Sequence, residues 1–207
     1  MTVIAFVGNK GGVGKTTLSI NFSVGLSSHA TVALVDADPQ GSALQWHQMS
    51  DTENRLAVYD AESRLSQQIK KLQDDYDHVV IDCPPYVQST QTAAVLQLAD
   101  IALIPVLPSP IDLWATVHIE KVAEEARKTN PNLDVILVIN QLELRTTFSR
   151  LMREALAEIN FTVAKATIRR RAVYRNSAVE GKSVYDMGKR GAAAAEELNE
   201  LVKEVTV

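Results

Sequence analysis

A stretch of nine residues constrains this chain more than any other. Asn9-Lys10-Gly11-Gly12-Val13-Gly14-Lys15-Thr16-Thr17 follows a short apolar run, Val3–Val7, and opens a segment with helical spacing at Leu18, Phe22 and Leu26. A strand, a tight glycine-rich turn and a helix satisfy that pattern together. The glycines let backbone N–H groups curl around phosphate oxygens without Cβ clashes. The helix N-terminus adds its partial positive charge. In such a loop Lys15 reaches the β- and γ-phosphates and the Thr16 hydroxyl ligates Mg²⁺, with Gly11, Gly12, Val13, Gly14 and Thr17 completing the cradle. The ordinary pattern wants a glycine five residues before Gly14. Asn9 stands there instead, and a second lysine, Lys10, precedes Gly11.

The rest of the chain repeats the alternation. Thr31–Val35, Val79–Ile81, Ile101–Val106, Val135–Ile139 and Val163–Ala166 read as strands. Residues 42–49, 91–98, 111–128, 148–159 and 192–205 read as helices. Strands alternating with helices imply a mostly parallel, doubly wound sheet covered on both faces. The expectation is one α/β domain over residues 1–207, of the P-loop nucleoside-triphosphatase class. Ligands in such sheets sit at the carboxyl ends of the strands, and every motif here follows a strand.

Two acidic segments occupy that position. Val32–Val35 leads into Asp36-Ala37-Asp38-Pro39-Gln40, where two carboxylates two residues apart can both face the loop mouth once the strand breaks. A helix cap is the structural alternative for Asp38, because proline follows it. His78-Val79-Val80-Ile81-Asp82-Cys83-Pro84-Pro85 ends a buried-type strand in an acid. A carboxylate there fits hydrated Mg²⁺, since a buried acid without a partner is costly. Cys83, the single cysteine, excludes an intrachain disulfide and a multi-cysteine metal cage within one chain, and reads as a small buried residue.

The Lys-Gly-Gly-x-Gly-Lys-Thr-Thr form resembles the deviant Walker A loop of the ParA/MinD ATPases, and Asp36–Gln40 resembles their second signature. The resemblance spans nearly the whole chain, and is nearest to small ParA proteins: ParF-like plasmid-partition and McdA-type carboxysome-positioning ATPases. It implies ATP and Mg²⁺ as cofactors. It implies that Lys10 crosses a dimer interface to the partner's nucleotide, that Asp38 orients the attacking water, and that Asp36 supports Mg²⁺ through water. Asn140, after Val135–Ile139, would contact adenine. The proline-rich stretch at Pro108 would lie beside the nucleotide and the dimer face. In that family ATP closes a homodimer that binds nonspecific DNA, and a ParB- or McdB-like adaptor stimulates slow hydrolysis. The expected location is therefore cytoplasmic and nucleoid-associated.

Charge is distributed unevenly. Residues 1–139 carry 9 Lys and Arg against 16 Asp and Glu, whereas residues 145–190 carry 11 against 4. Such asymmetry suggests a basic face. By the resemblance, Arg169, Arg170, Arg171, Arg175, Lys182, Lys189 and Arg190 are the DNA-binding candidates, with Arg145, Arg150 and Arg153 on the same face. Intramolecular ion pairing is the alternative. Three other classes fit less well. A MinD-like membrane ATPase needs a basic amphipathic C-terminal helix, and residues 196–204 are acidic. An iron–sulfur relative needs more cysteines, and a metabolic P-loop enzyme does not account for Lys10.

Overall fold

Parity along the central strands decides the layering. The computed structural model describes residues 1–50, 56–61, 63–143 and 161–206. Among them seven strands form one sheet: β1 (Thr2–Phe6), β2 (Val32–Asp36), β3 (Ala57–Asp60), β4 (His78–Asp82), β5 (Ile101–Val106), β6 (Asp134–Ile139) and β7 (Thr162–Val163). The order is β3-β2-β4-β1-β5-β6-β7, and every pairing is parallel. The central strands are buried on both faces, which is why they read as continuous apolar runs.

Odd residues of β1 (Val3, Ala5) join one core with Val79, Ile81, Ala102 and Ile104 on alternating positions of β4 and β5. That core is covered by α3 (Leu65–Leu72), α4 (Thr90–Leu96) and α5 (Pro110–Arg127). Ile4 and Phe6 point the other way, with Leu34, Val80, Leu103 and Val138. This second face is covered by α1 (Lys15–Leu26), α2 (Ser42–Met49), α6 (Ala172–Val179) and α7 (Ala192–Thr206). A short 3₁₀ segment, Val184–Arg190, joins α6 to α7 and kinks at Gly188.

Three elements escaped the sequence reading. Strand β3 is a half-buried edge with a weak apolar signal. Helix α3 presents only Leu65, Ile69 and Leu72 at helical spacing in a polar background. Helix α6 lies inside the arginine-rich stretch and buries Val173, Tyr174 and Ser177. The strand expected over Val163–Ala166 stops at Val163. The N–H groups of Lys165 and Ala166 donate instead to the Glu204 carboxylate, at 2.8 and 2.9 Å, and leave the ladder. The helix expected over residues 148–159, and Arg145, Arg150 and Arg153, lie outside the described residues.

Helix α7 packs directly on the loop-bearing helix α1. Leu198 and Leu201 are fully buried in the same core as Leu18, Phe22 and Leu26. Truncating such a side chain removes transfer energy and leaves a cavity. Leu198→Ala is expected to lower stability by ~2–5 kcal/mol, read from the urea midpoint at unchanged slope.

Candidate active site

The turn between β1 and α1 is an anion cradle by geometry. Gly12 and Gly14 adopt left-handed conformations, φ 79° and 92°. Gly14 is also pinned from outside, because a Cβ there would lie 2.4 Å from the Asn140 amide nitrogen. Gly14 is the N-cap of α1, and neither a capping side chain nor an acidic residue meets the first turn. The orphan N–H groups therefore face the loop mouth, with the positive end of the helix behind them. Lys15 is nearly buried, and its Nζ donates to the Lys10 carbonyl at 3.0 Å. Burial holds its ammonium below the usual lysine range, opposed by the nearby Asp82, Cys83 and Asp38. This hydrogen bond folds the loop around the amine that phosphate would engage.

Register brings the two acidic segments to the same place. Asp36 and Asp82 are direct partners in the β2–β4 ladder, and Asp82 is in register with Phe6 on β1. Aligned residues of a parallel sheet share a face, so both carboxylates lie on the α1 side. Their surroundings then divide their roles. One Asp36 oxygen accepts from Ala43 N and Leu44 N, at 2.9 and 3.1 Å, and the other from Asp38 N at 3.1 Å. Asp36 thus satisfies first-turn N–H groups of α2, whose N-cap is Gly41, a role open to Asp38 on sequence grounds. Asp38 closes the following turn by accepting from Gln40 N at 3.0 Å, and remains partly exposed at the mouth.

Asp82 is fully buried, and neither of its oxygens has a hydrogen-bond partner. Burial raises its carboxyl to about 7. The Thr16 side chain and Lys15 lie close enough to oppose that rise, although Thr16 makes no bond of normal geometry to it. Buried carboxylates almost always have partners. An orphaned pair of oxygens beside a threonine hydroxyl at a phosphate loop fits the outer shell of a hydrated cation. Cys83 is free and fully buried, and burial pushes its thiol up.

Asn140 sits below the loop. Its Nδ2 donates to the Val13 carbonyl at 2.7 Å, and its Oδ1 accepts from Gln141 N at 2.9 Å. Gln141 has φ 55°, and its Nε2 donates to the Gly12 carbonyl at 3.3 Å. Asn140 therefore braces the loop, in addition to any contact it makes with a base. Gln141 is not among the site residues expected from the sequence. Its latch to Gly12 follows from the turn and carried no sequence signal. Beside the loop lies a cleft of about 520 Å³, lined by Gly14, Thr17, Asn140, Gln141, Arg169–Arg171 and Tyr174 among others. Pro108 lies in the turn between β5 and α5, outside that lining.

The basic candidates separate into two groups. Arg171 pairs with Glu197, with Nη2 and Nε at 2.6 and 3.2 Å from Oε1, and Arg169 shares that carboxylate at 3.4 Å. Arg170 pairs with Glu143 at 2.6 Å and Lys182 with Glu180 at 2.9 Å. The three consecutive arginines are therefore ion-paired cleft residues before they are free surface charge. Arg175, Lys189 and Arg190 are exposed and carry no ion pair among the described residues.

A carboxyl raised to about 7 makes the free protein pH-sensitive. Between the ordinary carboxylate range and about 7, the folded chain holds a proton on Asp82 that the unfolded chain has released. Stability is therefore lost as pH rises through that window. Asp82→Asn is expected to remove this dependence and to exceed the wild type in stability at pH 8. Asp36, also raised by burial, leaves a residual slope of the same sign in both proteins. Urea unfolding in EDTA at pH 5 to 8 measures the difference between them.

The profile described as the CobQ/CobB/MinD/ParA nucleotide binding domain matches residues 4–184. The chain is 43% identical over 205 residues to maintenance of carboxysome distribution protein A of Halothiobacillus neapolitanus, covering 98% of this chain and 95% of that protein. In shape it is similar to an ATP complex of McdA from Cyanothece, with TM-score 0.77 and 17% identity over 100% of this chain and 97% of that one. It is also similar to a MinC:MinD cell division complex from Aquifex aeolicus, with TM-score 0.80 and 17% identity over 100% and 96%. The profile spans well over half of this chain, which therefore belongs to the CobQ/CobB/MinD/ParA family of nucleotide-binding domains.

Proposed function

We propose that this protein is an ATP-dependent ParA-type ATPase that positions carboxysomes by cycling between an ATP-bound dimer on nonspecific DNA and a released form. The observation that carries the nucleotide part is the orphaned Asp82 carboxylate beside Lys15 and Thr16, under a left-handed glycine loop. The cargo part is supported by the identity to the carboxysome distribution protein, which extends along 98% of this chain.

The residues fit Mg²⁺·ATP as substrate complex. The first-turn N–H groups of α1 and Lys15 would hold the β- and γ-phosphates. Thr16 would ligate the cation, with Asp82 holding its water shell and Asp36 more distant. The bound cation supplies charge neutralisation on the phosphates. Lys10, supplied across a dimer interface, would add positive charge to the partner's nucleotide and make closure depend on ATP. Asp38, partly exposed at the mouth, would orient the water that attacks the γ-phosphorus, and the bond to ADP breaks. An adaptor of the ParB or McdB kind would raise this slow rate and release the dimer.

DNA binding would fall on the basic candidates that make no ion pair among the described residues: Arg175, Lys189 and Arg190. Contacts of this sort are sequence-independent and salt-sensitive. The membrane alternative loses its element in this fold. Helix α7 turns Ala194, Leu198, Leu201, Val202 and Val205 into the core, so no apolar face is left for lipid. No helix among the described residues is long and apolar enough to cross a membrane.

Lys15→Ala is expected to abolish ATP binding in calorimetric titration; affinity near wild type would refute the loop assignment. Asp38→Ala is expected to cut turnover by roughly 10²-fold or more while ATP-dependent dimers persist in light scattering. Replacing Arg175, Lys189 and Arg190 together is expected to reduce the slope of log affinity for DNA against log salt by about one per lost phosphate contact. DNA binding equal in ADP and ATP would overturn the switch.

A further inference from the structure

We propose that Glu197 is a positioning residue for the wall of the nucleotide cleft, with Glu204 as its second anchor. The inference rests on the reading of that cleft as the nucleotide site. The wall is the segment Lys165–Arg171, whose arginines line the cleft beside Gly14 and Asn140. It lies beyond the regular ladder, because β7 ends at Val163. Beyond that point Ala164 N donates to the Leu137 carbonyl at 2.8 Å, Ile168 N to the Ile139 carbonyl at 2.9 Å and Arg170 N to the Leu142 carbonyl at 3.1 Å, and Leu142 N donates back to the Ile168 carbonyl at 2.9 Å.

Helix α7 holds the other side. Glu197 accepts from Arg169 N at 3.1 Å and takes the Arg171 guanidinium through both Nε and Nη2. Glu204 accepts from Lys165 N and Ala166 N. The two glutamates are seven residues apart, two helical turns or about 10.5 Å. The three residues from Ala166 to Arg169 span about 10 Å when extended. Helix rise and strand rise therefore match, and the segment runs antiparallel to α7 with a carboxylate at each end.

The grip reaches the phosphate loop through contacts already described. The 168–170 backbone is bonded to the 139–142 turn, and that turn holds the Gly12 and Val13 carbonyls through Gln141 and Asn140. Glu197 is nearly buried, and its side chain is 11% exposed. Its charge there is matched by Arg171 and Arg169. Removing the charge leaves the Arg171 guanidinium without its planar, two-point partner. The cleft wall is then free to shift, whereas the phosphate cradle keeps Lys15 and the α1 N-terminus. The base and ribose side of the ligand should be affected more than the phosphates.

The test separates those two parts. MgATP and magnesium tripolyphosphate are titrated calorimetrically into wild type, Glu197→Gln and Glu204→Gln. The expected result is MgATP affinity at least tenfold weaker in Glu197→Gln, with tripolyphosphate affinity within twofold of wild type, and a smaller change of the same kind in Glu204→Gln. Equal losses for both ligands would mean general damage and overturn the proposal, as would unchanged MgATP affinity. Wild-type protein that binds neither ligand would overturn the nucleotide reading and this one with it. Hydrogen exchange on the wild type gives an answer even if the variants fail to fold. The amides of Lys165, Ala166 and Arg169 should slow with MgATP but not with tripolyphosphate, and no difference would refute the role of the segment.

Discussion

The structure turns on the burial of one carboxylate. Asp82 ends the strand beside the central one, fully buried, with no partner for either oxygen. A fold holds such a group only when the surrounding packing over-determines it. Here the packing comes from an all-parallel sheet that turns Phe6, Asp82 and Asp36 to the same face in register, and from α1, whose Lys15 and Thr16 arrive beside them. The energetic cost is local, and Thr16 and Lys15 oppose it.

Around that centre the functional groups are layered by distance along the chain. The cradle is local: nine consecutive residues and one helix start. The brace beneath it comes from Asn140 and Gln141, more than a hundred residues away, which hold the loop by its carbonyls. The cleft wall comes from Arg169–Arg171, and the support behind the wall from α7 at the end of the chain. Each layer is bonded to the next through backbone groups, so the last helix and the first loop are mechanically joined. They are also joined by direct packing of α7 on α1 in one core.

The fold class, the parallel sheet and the phosphate loop were legible because they are written in local periodicity. Apolar runs of strand length followed by glycine and helical spacing leave few alternatives. The acids were legible as a set, since each ends a strand. Which of them would satisfy the start of a helix was not. Proline after Asp38 offered that residue as the helix cap, but the first-turn N–H groups of α2 donate to Asp36, and Asp38 takes the Gln40 N–H instead. The arginines illustrate the same limit. A run of three with Arg175 close by reads as a basic face, yet Glu197 and Glu143 neutralise three of the four. Those partners stand 26 to 28 residues away in sequence.

The sequence by itself determined that this chain folds as strand, phosphate loop and helix, and that carboxylates stand at the ends of its strands. That much depends on residues within a few positions of one another. The tertiary structure decided which carboxylate is buried without a hydrogen-bond partner, which amide braces the loop, and which of the neighbouring arginines are ion-paired. Those outcomes depend on register and on which helix packs behind which strand. Burial and pairing energies, unlike local propensities, are properties of neighbours that the chain brings together only when it folds.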